Sequence, residues 1–285
     1  MAHEILVTGS SGFVGRHLVT ALRARGDVVR EFSTRDGDIA TANLDFPEVR
    51  TVYHLAGRTF VPESWRAPRP FFETNLLGAL NVLEFCRSRE ASLVLMSSYV
   101  YGKPRSLPIA EDHPLQAFNP YSLSKILAEE TAAFYRDHRG VPVTIVRPFN
   151  LYGPGQADAF LIPMLIRQAL DPRREYYEVA DDGPRRDHVY ISDLIDLLLV
   201  CAKDRGGVYN AGSGISVSIR DLVAAINDIL GIRKELRSRG ERRPDEVMDV
   251  VADIRRAEQA LAWKPKVDLK KGLTATIAAL RSAPG

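Results

Sequence analysis

The chain has 285 residues, of which 45% are hydrophobic and 26% charged, so a disordered or fibrous protein is excluded. Its 38 basic and 36 acidic residues leave a net charge of +2, which indicates neither a nucleic-acid nor a membrane partner. Two cysteines cannot form a disulfide framework, and neither a signal peptide nor an apolar run near ~18 residues is visible, so we expect a cytoplasmic protein.

Short apolar runs alternate with longer amphipathic segments through the first 150 residues. The strand candidates are 5–8, 28–33, 52–55, 93–97 and 143–147. The helix candidates between them are 16–25, 71–89 and 121–138. Strands that alternate with helices of this length indicate βαβ units around a parallel sheet that is buried on both faces. The sequence therefore predicts an α/β fold with a doubly wound Rossmann sheet.

The regular alternation fades after residue 152. Residues 160–170 and 218–230 favour helices, and the stretch 233–243 carries six basic and two acidic residues. That stretch is either a solvated loop or a lip of a substrate site that contacts phosphate. We predict a dinucleotide-binding domain at 1–152, joined by a returning segment at about 187–212. A smaller, less regular substrate-binding lobe takes the remaining residues, 153–186 and 213–285.

Three glycines separate the first strand candidate from the first helix candidate. Gly9 would allow a tight turn, Gly12 would let the backbone approach a pyrophosphate, and Gly15 would let the helix pack close to the sheet. An anion would then lie at the N-terminus of the helix. The stretch predicts a dinucleotide-binding loop, completed by Ser11, Phe13 and Val14.

The end of the second strand candidate bears on which dinucleotide is bound. An NAD site usually offers a carboxylate there for the ribose hydroxyls. Ser33 stands at that position, and Arg35 follows two residues later. A hydroxyl and a forked guanidinium suit a 2′-phosphate, so NADP is predicted. NAD is the alternative if a local register shift brings Glu31 or Asp36 to the ribose.

The helix candidate at 121–138 carries a phenol and an ammonium group four residues apart. Tyr121 and Lys125 share one face of a helix that Asn119-Pro120 would begin. A positive charge nearby favours phenolate, so we expect the pKa of Tyr121 to be lowered toward the neutral range. Such a tyrosine can donate or accept a proton at a carbonyl or hydroxyl carbon while a nicotinamide moves a hydride. Ser97, at the end of the fourth strand candidate, could hydrogen-bond the reacting oxygen.

These segments together resemble an extended short-chain dehydrogenase/reductase of the NAD-dependent epimerase/dehydratase family of nucleotide-sugar enzymes. The resemblance covers nearly the whole chain. Its motifs are Gly9-x-x-Gly12-x-x-Gly15, His54-Leu-Ala-Gly57, Asn75-Leu-Leu-Gly78, Ser97-Ser-Tyr-Val-Tyr-Gly102, Tyr121-x-x-x-Lys125, Arg147-Pro-Phe-Asn150-Leu-Tyr-Gly-Pro154, Arg186-Asp-His-Val-Tyr-Ile-Ser-Asp193 and Ala260-Leu-Ala-Trp263-Lys-Pro265 leading to Gly272-Leu273.

The resemblance implies a role for each matching residue. Ser97, Tyr121 and Lys125 would be catalytic, and Lys125 would also hold the nicotinamide ribose. Further cofactor contacts would come from Leu55, Ala56, Gly57, Asn75 and Pro148. The substrate, a nucleoside diphosphate sugar, would contact Ser98, Tyr99, Asn150, Arg186 and Arg243. Relatives often dimerise through the helices that begin near residues 71 and 121, so a homodimer is expected.

The choice among family reactions rests on a few positions. Relatives that dehydrate sugars have an Asp-Glu pair where Ser98 and Tyr99 stand, so a dehydratase is not expected. The turn at 33–36 resembles that of GDP-fucose synthase-like 4-ketoreductases. We therefore predict NADPH-dependent reduction of the C4 keto group of a nucleotide-linked 4-keto-6-deoxyhexose, without prior 3,5-epimerisation. A nucleotide-sugar 4-epimerase with retained NAD is the alternative, and a non-catalytic dinucleotide-binding protein is a third. No metal site is predicted, because metal-ligand spacing is missing at His54, His113 and His138.

Overall fold

The computed structural model describes residues 4–204, 206–242 and 246–282. In chain order its strands are β1 (Glu4–Thr8), β2 (Val28–Phe32), β3 (Val49–His54), β4 (Ser92–Met96), β5 (Val143–Pro148), β6 (Asn150–Tyr152), β7 (Tyr176–Val179), β8 (Arg185–Tyr190), β9 (Val208–Ala211), β10 (Ser216–Ser218), β11 (Glu235–Ser238) and β12 (Asp249–Val250). Its helices are α1 (Phe13–Ala24), α2 (Val61–Arg66), α3 (Arg69–Phe72), α4 (Gly78–Arg89), α5 (Pro120–Arg139), α6 (Leu161–Leu170), α7 (Ile191–Cys201), α8 (Ile219–Leu230), α9 (Arg255–Leu261) and α10 (Leu269–Ser282).

A parallel sheet of six strands forms the centre, in the order β2-β1-β3-β4-β5-β9. Side chains alternate between its faces, as the pleat requires. Leu93 and Leu95 belong to a core cluster with residues of α4 and α5, whereas Val94 between them packs in a cluster with α1 and α7. Helices therefore cover both faces, and the predicted doubly wound α/β fold is confirmed.

The strand order reverses between β1 and β3. From β1 the chain passes to β2 at the edge, and it then returns to β3 on the other side of β1. In sheets of this kind the carboxyl ends of the two strands at the reversal form the ligand crevice. The link at 33–48 contains no strand, and its buried Ile39 and Leu44 pack into the core beside α4. The Asn81 side-chain amide, on α4, donates to the carbonyls of Ile39 and Ala42, both at 2.9 Å.

The predicted helix at 71–89 is interrupted. Its first part is α3, its last part is α4, and a π-helical turn (Glu73–Leu77) lies between them. A π-helical turn inserts one extra residue per turn and is frequent at functional sites. Here the turn carries Asn75, which is 2% exposed. The amphipathic period alone did not indicate this interruption.

The chain returns to the central sheet after β8. Helix α7 packs with α1, and β9 pairs in parallel with β5. The sequence between β5 and β8, which includes α6 and β7, lies outside the central sheet. This path supports the proposed division, in which the segment at about 187–212 completes the dinucleotide-binding domain.

Helices α6, α8 and α10 form a separate core. Ala257 of α9 and Trp263, which the sequence placed in the second lobe, pack instead with α1 and α7. Small sheets line the core of α6, α8 and α10: β8 pairs with β6, β10 and β12, and β7 pairs with β11. Several charges of the basic stretch 233–243 hold this lobe together. Lys234 donates to the carbonyls of Gln168 and Asp171, and the Arg237 guanidinium lies 3.8 Å from the centre of the Tyr176 ring.

Two buried aspartates of the motif at 186–193 join these layers. Asp187 accepts from the backbone amides of Ser213, Gly214 and Ala252 at 2.6–3.0 Å. Asp193 accepts from the amides of residues 266 and 267 at 3.0 and 3.1 Å. Each carboxylate therefore ties distant loops to β8 or α7, which is a structural reason for the acids of this motif.

Candidate active site

The glycine turn after β1 is built by backbone contacts that leave no space for side chains. Gly9 has a φ of +70°, and a Cβ there would lie 2.6 Å from the Ala56 amide nitrogen. A Cβ on Gly15 would lie 2.2 Å from the Gly9 carbonyl oxygen. The nearest atoms to this Cβ belong to Gly9 and Ser10, so Gly15 lets α1 begin close against the turn that follows β1. No side chain caps α1 and its first turn has no acidic residue, so the helix N-terminus suits an anion.

The turn after β2 contains a carboxylate that serves the turn itself. Asp36 accepts from the Ser33 amide at 2.8 Å and from the Ser33 hydroxyl at 2.9 Å. These hydrogen bonds lower the pKa of Asp36. The other nearby acid, Glu31, is paired with Arg23 at 2.7 Å. Both acids that could have served an NAD ribose are therefore engaged elsewhere.

Arg35 is exposed at the same turn. Its guanidinium forms no hydrogen bond or ion pair within the described ranges, although its charge acts on Asp36. A guanidinium in this condition can offer its full fork of donors to a phosphate.

A capping box fixes the start of α5. The Asn119 side chain accepts from the Ser122 amide at 2.7 Å, and Asn119 donates its own amide to the Ser122 hydroxyl at 3.1 Å. Pro120 occupies the first helical turn, where its missing amide hydrogen costs nothing. Tyr121 and Lys125 follow one turn apart, as predicted.

Lys125 lies against the end of β4. Its Nζ donates to the Met96 carbonyl at 2.7 Å, and the residue is 7% exposed. Met96 immediately precedes Ser97, so the ammonium and the serine share the carboxyl end of one strand. The Ser97 hydroxyl is buried and has no hydrogen-bond partner among the residues described. A buried polar group without a partner is a place where a ligand oxygen can bind.

The expected acidification of Tyr121 is wrong for the protein alone. Burial raises the pKa of Tyr121, and the Ser98 side chain offsets this only in part. The causes of the Tyr121 shift do not include the charge of Lys125, and burial also lowers the pKa of Lys125, to about 8. Spacing along the helix brought the two groups close, but desolvation determines the direction of both shifts. Tyr121 is thus a neutral phenol at neutral pH, able to donate a proton.

Asn75 connects the π-helical turn with α5 and with the loop after β3. Its side chain accepts from the Arg58 amide at 2.8 Å and donates to the Ser124 hydroxyl at 2.9 Å. A Cβ on Gly57 would lie 3.0 Å from the Asn75 side-chain oxygen and 3.8 Å from the Lys125 Nζ. The loop after β3 therefore passes close to both Asn75 and Lys125.

The remaining predicted cofactor residues lie at the same edge of the sheet. Leu55 and Ala56 follow β3, and their amides donate to Thr8 at the end of β1. The Thr8 hydroxyl lies 2.7 Å from His54 Nδ1, and burial lowers the pKa of His54 to about 3. Pro148 ends β5. The edge is therefore lined by backbone and by neutral side chains, with Lys125 as its buried charge.

The predicted substrate residues lie beyond β4 and on the strands of the second lobe. The Tyr99 hydroxyl donates to the Gly102 carbonyl at 2.5 Å, and burial raises the pKa of Tyr99 to about 12. The Asn150 amide, on β6, donates to the Asp187 carbonyl at 3.2 Å. Ser98 precedes Tyr99 in the chain, and its side chain forms a hydrogen bond with Tyr121 that acts to lower the pKa of that phenol.

Arg186, on β8, is held by the segment before β12. It donates to the Val247 carbonyl at 2.6 Å and forms a short ion pair with Glu246. Its charge also acts on Tyr99, so the two predicted substrate residues are near each other. Arg243, the other arginine predicted to contact the diphosphate, lies outside the described residues.

Sequence reasoning missed two buried features near this site. Arg147 and Glu129 form an ion pair at 2.6 Å, with side chains 7% and 4% exposed. Both ring nitrogens of His188 are buried without a hydrogen-bond partner in the described part of the chain, and burial lowers the pKa of His188 to about 4. A charged residue inside an apolar strand such as β5 was the available signal for the ion pair; nothing local distinguished His188.

No group of three or more His, Cys, Asp or Glu side chains in the described ranges could hold a metal ion. No helix in those ranges is long and apolar enough to cross a membrane.

Comparisons with known proteins agree with this geometry. The model of the NAD dependent epimerase/dehydratase family matches residues 5–212. The chain is 33% identical to GDP-6-deoxy-D-mannose reductase of Pseudomonas aeruginosa, over 97% of each chain. It is 30% identical to a UDP-glucose 4-epimerase of Azospirillum brasilense, over 95% of this chain and 89% of that one. The solved structure of RMD from Pseudomonas aeruginosa complexed with NADPH is 32% identical, with a TM-score of 0.87 over 99% and 100% of the two chains.

Proposed function

The chain belongs to the NAD dependent epimerase/dehydratase family, and from that premise we propose that it is an NADPH-dependent 4-ketoreductase. Its substrate is a nucleoside diphosphate-linked 4-keto-6-deoxyhexose, and its product is the corresponding 4-hydroxy sugar. The similar GDP-6-deoxy-D-mannose reductase supports a reductase of this class. The family match and the similar reductase and epimerases show that the chain is an NAD(P)-dependent nucleotide-sugar enzyme.

The observation that carries the choice of cofactor is the turn after β2. Glu31 is paired with Arg23, and Asp36 accepts two hydrogen bonds from Ser33, so each acid already has a partner other than a ribose 2′-hydroxyl. The Arg35 guanidinium forms no ion pair in the ranges described, so its donors can bind a 2′-phosphate. NADPH is the dinucleotide that enters reduced in biosynthetic reductions. This turn therefore supports a reductase in preference to an enzyme that retains NAD.

The cofactor residues fit a dinucleotide on the structural observations above. The glycine turn would hold the pyrophosphate through Gly9, Gly12, Gly15 and the loop residues between them, Ser11, Phe13 and Val14. Ser33 and Arg35 would hold the adenosine end. The nicotinamide end would lie along Leu55, Ala56, Gly57, Asn75, Tyr121, Lys125 and Pro148. When bound, the nicotinamide supplies the hydride that adds to the sugar C4.

The chain's own groups supply the proton. As C4 is reduced, its carbonyl oxygen becomes an alkoxide, and the neutral Tyr121 phenol donates a proton to it. The Ser97 hydroxyl, which lacks a partner among the described residues, hydrogen-bonds that oxygen and orients it. The Lys125 ammonium, fixed by its hydrogen bond to the Met96 carbonyl, would hold the nicotinamide ribose. The raised pKa of Tyr121 suits this direction, because a reductase needs the protonated phenol at the start.

The substrate diphosphate is a dianion, which forked guanidinium groups recognise well. Arg186 would bind it from β8, with Arg243 as a second contact and Asn150 as a neutral one. Ser98 and Tyr99 would face the sugar. Neither can protonate a leaving hydroxyl at neutral pH, since burial raises the pKa of Tyr99 to about 12, and this argues against a dehydratase.

A 4-epimerase that retains NAD is the second candidate, favoured by the similarity to UDP-glucose 4-epimerases. The same three catalytic residues would serve it, with Tyr121 first accepting a proton. One assay distinguishes the two. The protein is assayed with 4-keto-6-deoxyhexoses that are linked to different nucleoside diphosphates. With one of them we expect one NADPH to be consumed for each sugar that is reduced. Interconversion of UDP-sugars without net loss of cofactor would identify an epimerase instead, and no turnover with either would indicate a non-catalytic binding protein.

A homodimer through α4 and α5 is part of the proposal. Leu77 and Leu80 are 45% and 36% exposed, and Leu123 on α5 is 39% exposed, whereas Leu83 is buried in the monomer core. Exposed leucines on the π-helical turn, on α4 and on α5 favour an interface. Light scattering of Leu80→Glu against wild type tests it: the variant should be monomeric, and an unchanged dimer would place the interface elsewhere.

The turn after β2 is tested by titrating the protein with both cofactors. We expect NADPH to bind at least about 10-fold more tightly than NADH, since charge-assisted hydrogen bonds contribute about 1.5–3 kcal/mol. Arg35→Ala should remove most of this preference. Arg139→Ala, which removes an exposed arginine at the far end of α5, should retain it. Tighter binding of NADH by the wild type would overturn the cofactor assignment.

A further inference from the structure

Glu129 is the third member of a series on α5 that the proposed mechanism does not use. It follows Lys125 by four residues, as Lys125 follows Tyr121, so the three lie along one face of the helix. That face is turned to the sheet, and Glu129 is 3% exposed. A buried carboxylate one turn from a buried ammonium group requires a structural reason, because both are costly to desolvate.

Arg147 is the group that holds Glu129 in place. Its Nε donates to both carboxylate oxygens, at 3.1 and 3.0 Å, and its Nη2 donates at 2.6 Å. Burial acts to lower the pKa of Arg147, but the hydrogen bonds and charge of Glu129 outweigh it and raise that pKa. The forked contact fixes the position of the carboxylate on the helix as well as its charge.

Arg147, which clamps Glu129, also contacts the chain segment that follows β4 and Ser97. Arg147 Nη1 donates to the Tyr101 hydroxyl at 3.0 Å and to the Glu111 carbonyl at 2.9 Å. The Tyr101 hydroxyl donates in turn to the Asn210 side chain at 2.5 Å. Tyr101 lies four residues after Ser97. The network therefore links α5, β5 and β9 with the segment that leaves the active site.

The groups that face Lys125 are few. From β3 comes His54, which burial keeps neutral, with a pKa of about 3; from β4 comes the Met96 carbonyl. On its own helix lie the Tyr121 phenol and Glu129. In the described part of the chain, Glu129 is the carboxylate that acts on Lys125, and it opposes the burial that lowers the pKa of Lys125 to about 8.

We propose that Glu129, clamped by Arg147, is a positioning residue that keeps the Lys125 ammonium charged at the pH where the enzyme works. It touches neither substrate nor cofactor in this account, and it acts through Lys125. The inference rests on the proposed function only for the role of Lys125. Its electrostatic content is independent of which sugar is reduced.

The experiment follows the Lys125 side chain directly. The chain has eight lysines, so the ¹³Cε signals of lysine-labelled protein are few, and the Lys125 signal is identified by its loss in Lys125→Met. Titration is compared between wild type, Glu129→Gln and Glu130→Gln. Glu130 is the matched control: it is the same residue type one position further on α5, and it is exposed. NADPH affinity is measured over the same pH range as the functional readout.

We expect Glu129→Gln to move the Lys125 midpoint to lower pH by at least about 0.5 unit, because an opposite charge nearby favours the charged form. The pH at which NADPH affinity falls should move with it, and Glu130→Gln should match the wild type. A Glu129→Gln midpoint equal to that of the wild type would overturn the inference, whatever its effect on stability. Failure of the protein to reduce any keto-sugar would refute the proposed function and leave this midpoint result standing.

Loss of one partner from a buried pair can prevent folding, so a second variant carries the test in that event. Glu129→Gln/Arg147→Gln removes both charges and leaves neither unpaired. Since Glu129 is the member that acts on Lys125, the double variant should show the same downward displacement of the Lys125 midpoint. A wild-type midpoint in the double variant would contradict the proposal.

Discussion

The cofactor side and the substrate side of the site are organised in different ways. On the cofactor side, Gly9 and Gly15 shape the turn through backbone contacts, and Arg35 forms no ion pair within the described ranges. On the substrate side, Arg186 is already paired with Glu246 and bonded to the Val247 carbonyl. A phosphate bound at Arg35 would give that guanidinium a partner. A diphosphate bound at Arg186 would have to share the guanidinium with Glu246 or replace Glu246. Under the proposed function, the cofactor side would be largely preformed, whereas substrate binding would require Arg186 to rearrange its ion pair.

The largest effect is expected at the groups between the two sides. Tyr121→Phe removes the proton donor and leaves the ring in place, so turnover should fall by about 10²–10⁴-fold. NADPH affinity should change by less than about 2-fold, because the glycine turn is untouched. Stopped-flow turnover and NADPH fluorescence titration measure the two. Unchanged turnover would rule Tyr121 out as the donor.

The buried pair behind Lys125 should dominate stability. Arg147→Met leaves Glu129 charged and uncompensated, so the free energy of unfolding should fall by about 3–5 kcal/mol. Adding Glu129→Gln to it should recover much of that loss. Arg173→Met, which removes an exposed partner of Asp171, should cause no measurable loss in urea denaturation. Equal losses for the buried and exposed arginines would contradict the burial argument.

The comparison itself is sharpened by one variant on each side. Arg186→Ala should raise the KM for the keto-sugar by about 10–100-fold with little change in NADPH affinity, since it removes a charge-assisted contact to the diphosphate. Arg35→Ala should weaken NADPH binding with little change in the KM for the keto-sugar. The two variants are compared by steady-state kinetics with each substrate varied in turn. If either variant weakened both ligands equally, the two sides would not be separate.

The smallest effect concerns the pH dependence of stability and a buried histidine of β8. His188 has a pKa of about 4 in the folded protein, below its ordinary value near 6.5, so the unfolded chain binds a proton first as pH falls. Stability is therefore lost below pH ~6.5, by about 2 kcal/mol at pH 5 from this residue. His188→Phe should flatten that part of the profile in denaturant unfolding at pH 7 and pH 5. A slope identical to that of the wild type would show that His188 is not responsible.

The part of the fold that the sequence predicted is the part set by local pattern. Strand and helix periods gave the five strands from β1 to β5, and the capping residues before Tyr121 gave the start of α5. Glycine turns and residue spacing are read directly from neighbouring positions. The short strands of the second lobe could not be predicted this way. For example, β11 exists because it pairs with β7, almost 60 residues away, as in the register Leu236 to Tyr177.

Spacing along the chain could place neighbouring side chains of the candidate site, but it could not give their electrostatics. Tyr121 and Lys125 could be placed side by side from spacing, yet the sign of the Tyr121 pKa shift depends on burial, which spacing does not report. Asn75 was identified by resemblance, whereas the π-helical turn that directs it follows from packing against α5. The Glu129–Arg147 pair joins two elements and has no local signature.

Isotope transfer tests the central claim most directly. The protein is incubated with NADPH deuterated at the transferable C4 position and with a nucleotide-linked 4-keto-6-deoxyhexose, and the product is analysed by NMR and mass spectrometry. We predict one deuterium at the sugar C4 and one equivalent of oxidised cofactor for each product molecule. Unlabelled epimers formed from a UDP-sugar, with the deuterated NADPH unchanged, would contradict a reductase and support the epimerase in its place.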